Sequence, residues 1–107
     1  MTIHSVHGAL TAKKLGFERA VLSRELTKTQ IEQISKLDIE TEIFVHGALC
    51  MSVSGQCYMS SFIGQRSANR GLCAQTCRLP FSACGNKNRC GLSLKDLSLI
   101  EHIDEIK

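Results

Sequence analysis

Six cysteines fall in a chain of 107 residues, and all of them lie between Cys50 and Cys90. Their spacing is C-x6-C-x15-C-x3-C-x6-C-x5-C. Thiolates bind soft and borderline metals, so such a gathering points to a metal site. Structural zinc sites favour pairs with two to four residues between them, and only Cys73 and Cys77 meet that spacing. Iron–sulfur clusters are also held by thiolates, with a fourth ligand that often comes from far along the chain. The spacing therefore indicates a thiolate metal centre without choosing between an iron–sulfur cluster and zinc. Arg66, Arg70 and Arg78 are interleaved with the thiols. A guanidinium grips carboxylate or phosphate through a fork of donors, so these three are candidate substrate-binding residues.

A second set of chemically able residues sits at the ends of apolar runs. His46 follows Ile43-Phe44-Val45 and precedes Gly47. It is placed to orient a substrate or donate a proton, and His4 and His7 occupy comparable positions. Arg24 and Glu25 come directly after the run Arg19-Ala20-Val21-Leu22. In a parallel sheet, residues just beyond strand ends face the ligand. His46, Arg24 and Glu25 are therefore the candidate catalytic groups. Each has a plainer alternative: a hydrogen-bonded structural histidine, and a local Arg24–Glu25 ion pair. For a single cysteine the plainer alternative is a small buried hydrophobe, which six in so short a stretch make weak. Tyr58, beside Cys57, reads as packing.

Composition bounds the class. The length suits one small domain. The net charge of +3 permits a nucleic-acid partner without demanding one. No apolar run approaches the roughly 20 residues that span a bilayer, and no basic head followed by an apolar stretch marks a signal peptide. The first 49 residues hold no cysteine and resemble ordinary cytosolic α/β sequence. That asymmetry favours one local metal site over a distributed disulfide framework. A cytoplasmic location and no membrane association are the expectation.

The elements that must carry these groups follow an α/β rhythm. A strand is predicted over residues 2–6, broken by His7-Gly8. A helix is predicted over 9–15, ending in Lys13, Lys14 and then Gly16. A second strand follows over 19–22. Thr27 with Gln30, or Thr29 with Glu32, forms a capping box that opens a helix with its stripe at Ile31, Ile34 and Leu37. The third strand is predicted over 43–45. This βαβαβ scaffold, residues 1–46, precedes a cysteine-rich loop over 47–92 with a turn at Gly85-Asn86-Lys87-Asn88. A C-terminal helix is predicted within 93–107, striped by Leu94, Leu97, Ile100 and Ile103. Three parallel strands leave two open edges. A larger α/β protein is therefore expected around this piece, or a homodimer that covers the edges.

Several stretches together resemble one family. They are Phe44-Val45-His46-Gly47-Ala48-Leu49-Cys50, Ser54-Gly55-Gln56-Cys57 and Asn69-Arg70-Gly71-x-Cys73-x-x-x-Cys77-Arg78, flanked by Leu22-Ser23-Arg24-Glu25-Leu26 and Ser93-Leu94-Lys95-Asp96-Leu97. This pattern is similar to the signature of the collagenase-like peptidase family U32, over nearly the whole chain. The resemblance implies a partial (β/α) barrel, the segment matching its later strands. The family label implies proteolysis. Other members imply oxygen-independent hydroxylation of a tRNA uridine, an rRNA cytidine or ubiquinone precursors, with a 4Fe-4S cluster on four cysteines and, in the RNA branch, prephenate. Cys50, Cys57 and Cys73 match the family's cluster positions, and Cys77 is the nearest fourth. Where the family often has a further cysteine this chain has Ser98, and Cys84 and Cys90 lie in the shortened loop between.

The expectation is thus the cluster-binding segment of an iron–sulfur hydroxylation enzyme acting on tRNA or rRNA. A peptidase and a non-catalytic zinc module are the alternatives. A barrel active site is shared among several strand ends, so this segment alone is expected to be inactive. No H-E-x-x-H zinc-peptidase pair is present.

Overall fold

A computed structural model describes residues 2–83 and 85–106. The chain forms two compact units, Met1–Val45 and His46–Lys107. Both mix helices with short strands.

In the first unit, Ser5 caps helix α1 (Val6–Lys14) by accepting the Gly8 N–H at 3.1 Å. The helix ends after Lys13 and Lys14, with Gly16 in a left-handed conformation at φ 86°. Gly16 N–H donates to Lys13 O and Phe17 N–H to Ala12 O, the paired bonds of a Schellman stop. Strand β1 (Arg19–Val21) leads to helix α2 (Lys28–Ser35), and strand β2 (Glu40–Glu42) lies parallel to β1. Of the two capping boxes the sequence allows, Thr27 with Gln30 forms: each backbone N–H is taken by the other's side chain. Ala9, Ala20, Leu22 and Ile34 are buried, with Ile3, Val6, Leu26, Ile31, Leu37, Ile39 and Ile43 packed around them.

Two sequence expectations are corrected here. The first strand shrinks to one parallel bridge, Ile3 with Leu22, because Ser5 caps the helix early and draws His7 and Gly8 into α1. The third strand is Glu40–Glu42, not 43–45. The burial of Ile39, Thr41 and Ile43 alternates with exposed Glu40, Glu42 and Phe44, a two-residue period that the apolar run at 43–45 obscured. Arg19 clips the register from β1, 2.8 Å from Glu40 and 3.5 Å from Glu42. The mixed helix and strand content fits the expected α/β class, and among the described residues each sheet has two strands and none closes.

The second unit begins with strand β3 (His46–Gly47), followed by helix α3 (Met59–Gly64). Two 3₁₀ turns, Ala68–Arg70 and Thr76–Arg78, lead to a hairpin of β4 (Phe81–Ala83) and β5 (Asn86–Arg89). The region expected to be loop is thus partly ordered. The turn expected over 85–88 is tighter, since Asn86 already belongs to β5. Cys84 lies outside the described residues. The C-terminal helix is also shorter than expected. Leu97 and Ser98 form β6, antiparallel to β3, and only a 3₁₀ turn (Ile100–His102) and α4 (Ile103–Ile106) follow. The need of His46 and Gly47 for a backbone partner overrides the helical stripe there.

Candidate functional site

The cysteine-bearing segments are positioned by backbone and hydroxyl ties. His46 is exposed on β3 and pairs with Ser98. Gly47, at φ 126°, turns the chain out of the strand toward Cys50, a conformation that disfavours any residue with a Cβ. Helix α3 then carries Ser60, which is 1% exposed. The Ser60 hydroxyl accepts the Ala74 N–H at 3.2 Å and lies 4.0 Å from Cys73 Sγ. Gln75 is left-handed, at φ 53°, and its N–H points back to Cys73 Sγ at 3.4 Å. The turn that starts there carries Thr76, Cys77 and Arg78.

Arg78 is engaged on several sides. Its Nη1 donates to Ser93 Oγ at 3.2 Å and to Leu94 O at 3.4 Å. Its Nη2 donates to Leu49 O at 3.3 Å and to Asp96 Oδ1 at 3.3 Å. Protein acceptors thus occupy the guanidinium that the sequence placed among the substrate-binding arginines. Arg66 and Arg70 are exposed.

In the first unit, Glu25 stands between His4 and Arg24, 3.9 Å from each. These three meet just past the Ile3–Leu22 bridge. The neighbouring Ser23 hydroxyl is buried without a hydrogen-bond partner among the described residues. Two ionisable groups elsewhere in this unit are shifted. A hydrogen bond from Lys13, then its charge, lowers the Asp38 carboxyl below its ordinary range. Hydrogen bonding and charge from Glu40 raise Arg19.

Cys50, Cys57 and Cys77 are half-buried, Cys73 and Cys90 are exposed, and all five are free thiols. Among the described residues no three His, Cys, Asp or Glu side chains are gathered to hold a metal ion. The donor chemistry nonetheless suits a thiolate-bound group. The thiols are unpaired and accessible, and Cys73 sulfur accepts a backbone N–H, as ligating sulfurs do. Sequence reasoning missed Ser60 altogether, and it quoted Leu49 and Ser93 within motifs without finding that they accept hydrogen bonds from Arg78. No helix among the described residues is long and apolar enough to cross a membrane.

Comparison with known proteins adds names to this geometry. A 23S rRNA 5-hydroxycytidine synthase of Escherichia coli is 46% identical over 88 residues, covering 81% of this chain and 14% of its own. The tRNA hydroxylation protein P of the same organism is 46% identical over 72 residues, 65% of this chain and 16% of its own. A collagenase of Porphyromonas gingivalis is 36% identical over 106 residues, 80% of this chain and 26% of its own. The chain spans less than a third of the length of the curated relatives it matches. No solved structure matches it. The match to Peptidase family U32 runs through residues 1–107, across both units and every cysteine, and the chain belongs to that family.

Proposed function

We propose that this chain is the thiolate-bearing segment of an iron–sulfur enzyme that hydroxylates bases of tRNA or rRNA. Cys50, Cys57, Cys73 and Cys77 are its cluster ligands. The observation that carries this reading is the interior of the second unit. Among the described residues its buried ones are Ser54, Ser60 and Thr76, and none of them is a large apolar side chain. A unit of this size without an apolar core needs another source of cohesion, and bound metal is the usual one. The relatives named for rRNA and tRNA hydroxylation give the substrate class.

A 4Fe-4S cluster would supply one-electron redox chemistry. The protein's own groups have simpler tasks. Exposed Arg66 and Arg70 meet RNA phosphate or a small carboxylate such as prephenate, as forked donors do. His46, exposed on β3, is placed to pass a proton. In the other unit, Arg24 and Glu25 stand at parallel strand ends, where α/β folds present ligand-contacting groups. The order Ile3 segment, β1, β2, all parallel and joined through helices, supports the later strands of a (β/α) barrel in the intact protein.

Anaerobic reconstitution with iron and sulfide tests the reading. The expected product is brown, with about four irons and four sulfides per chain. Stoichiometric zinc without sulfide would replace it with a zinc-stabilised binding module. The relative named collagenase supports a second reading, peptidase activity. Gelatin cleavage by the full-length protein, abolished in Cys50→Ser yet indifferent to iron, would overturn the hydroxylation proposal.

A further inference from the structure

The side chain next to Cys77 joins stretches that are far apart in sequence. The Arg78 guanidinium holds the carbonyl of Leu49, the residue before Cys50. It also holds Ser93, Leu94 and Asp96, which lead into β6. Strand β6 in turn pairs with β3, from which the Cys50 segment departs. The ties therefore close a loop: β3, Leu49, Arg78, Ser93 to Asp96, β6 and back to β3. The Arg78 side chain is 25% exposed, so these contacts are partly shielded from water.

A single guanidinium can do this because its five N–H groups are set in a rigid, planar fork. A lysine ammonium offers three donors at one point and cannot span the same acceptors. The unit has no apolar core among the described residues to hold its segments in place, so polar ties of this kind decide where the thiol-bearing backbone lies. We infer that Arg78 is a positioning residue for the thiolate site, fixing the backbone at Cys50 relative to the turn that carries Cys77. It is a strut and not a substrate anchor. This role toward the cluster rests on the function proposed above. The effect on the Cys50 backbone does not.

The test uses the full chain purified without oxygen, in wild-type, Arg78→Lys, Arg78→Ala and Arg66→Ala forms. Far-UV circular dichroism is the check that each is folded. In the metal-free proteins, iodoacetamide labelling is mapped by mass spectrometry. Arg78→Ala and Arg78→Lys should label at Cys50 several-fold faster than wild type, with Cys90 unchanged. Free guanidinium at low concentration should slow Cys50 again in Arg78→Ala. In the reconstituted proteins, both Arg78 variants should lose iron to a chelator about tenfold faster or more, with an altered electron paramagnetic resonance spectrum. Arg66→Ala should match wild type. Unchanged Cys50 labelling in both Arg78 variants overturns the inference, even if wild type loads its cluster. A wild type that takes up no iron, with Cys50 labelling still dependent on Arg78, defeats the cluster reading and leaves the strut in place. Arg78→Lys with wild-type labelling and iron retention would show that charge alone suffices, and would also overturn it.

Discussion

Ser60 serves the Cys73 segment from helix α3, and its hydroxyl is the acceptor for the Ala74 N–H. Removing a buried acceptor leaves a donor unpaired, at about 1–3 kcal/mol. Ser60→Ala should therefore lower the denaturant midpoint of the second unit, with faster amide exchange at Ala74; unchanged exchange there would show that the bond contributes nothing. Asp38 gives a prediction about pH. Its carboxyl is held low mainly by the Lys13 hydrogen bond, 2.7 Å long. A carboxyl lowered in the folded state stabilises the fold above its unfolded value, and that contribution is lost as pH falls through the lowered one. The melting difference between wild type and Asp38→Asn should be present at neutral pH, begin to fade near pH ~4, and vanish in stronger acid. Asp38 is fully solvated, so salt should shrink the difference at every pH.

Among the elements, α2 carries the clearest energetic signature. Its start rests on Thr27 and Gln30, and its packing rests on Ile34, which is 0% exposed. Thr27→Ala should cost about 1 kcal/mol, and Ile34→Ala about 3 kcal/mol, both read from urea unfolding. An Ile34→Ala cost close to that of Thr27→Ala would mean the core collapses around the lost methyls. The stripe was legible in the sequence and the cap was one of the two boxes it allowed, because capping and helical periodicity are local. Strand β2 was not. Thr41 favours a strand but its neighbours Glu40 and Glu42 do not, and the pairing with β1 makes them one.

At the scale of the molecule, the two units differ in what holds them. The first has an apolar core; the second, among its described residues, has buried hydroxyls and free thiols. Hydrogen exchange on the metal-free protein should show slow amides in α1, β1 and α2 and fast ones around α3 and the Thr76–Arg78 turn. Reconstitution with iron and sulfide should slow the second group and leave the first unchanged. Equal protection in the chelated protein would remove the argument that metal holds this unit. For this chain by itself we propose a homodimer through the exposed sheet edges, the one at Ile3 in particular. The outer edge of β2 carries exposed Glu40 and Glu42, which discourage pairing. Light scattering under reducing conditions should give twice the chain mass; a monomer at high concentration would refute the edge argument.

The cysteine spacing, the arginines among them, the Gly16 helix stop and the family motifs are properties of residue type and short separation, so the sequence by itself determined them. It also determined the parallel α/β rhythm of the first unit, because helical stripes and caps are read within a dozen residues. Tertiary structure alone decided that β2 lies at Glu40–Glu42, and that Leu97 and Ser98 leave a helical pattern to pair with β3. It alone decided that Arg78 faces Leu49, Ser93 and Asp96. The physical reason is the same in each case. Backbone donors and acceptors must find partners, and partners distant in sequence are chosen by the packing of the whole unit and not by local preference.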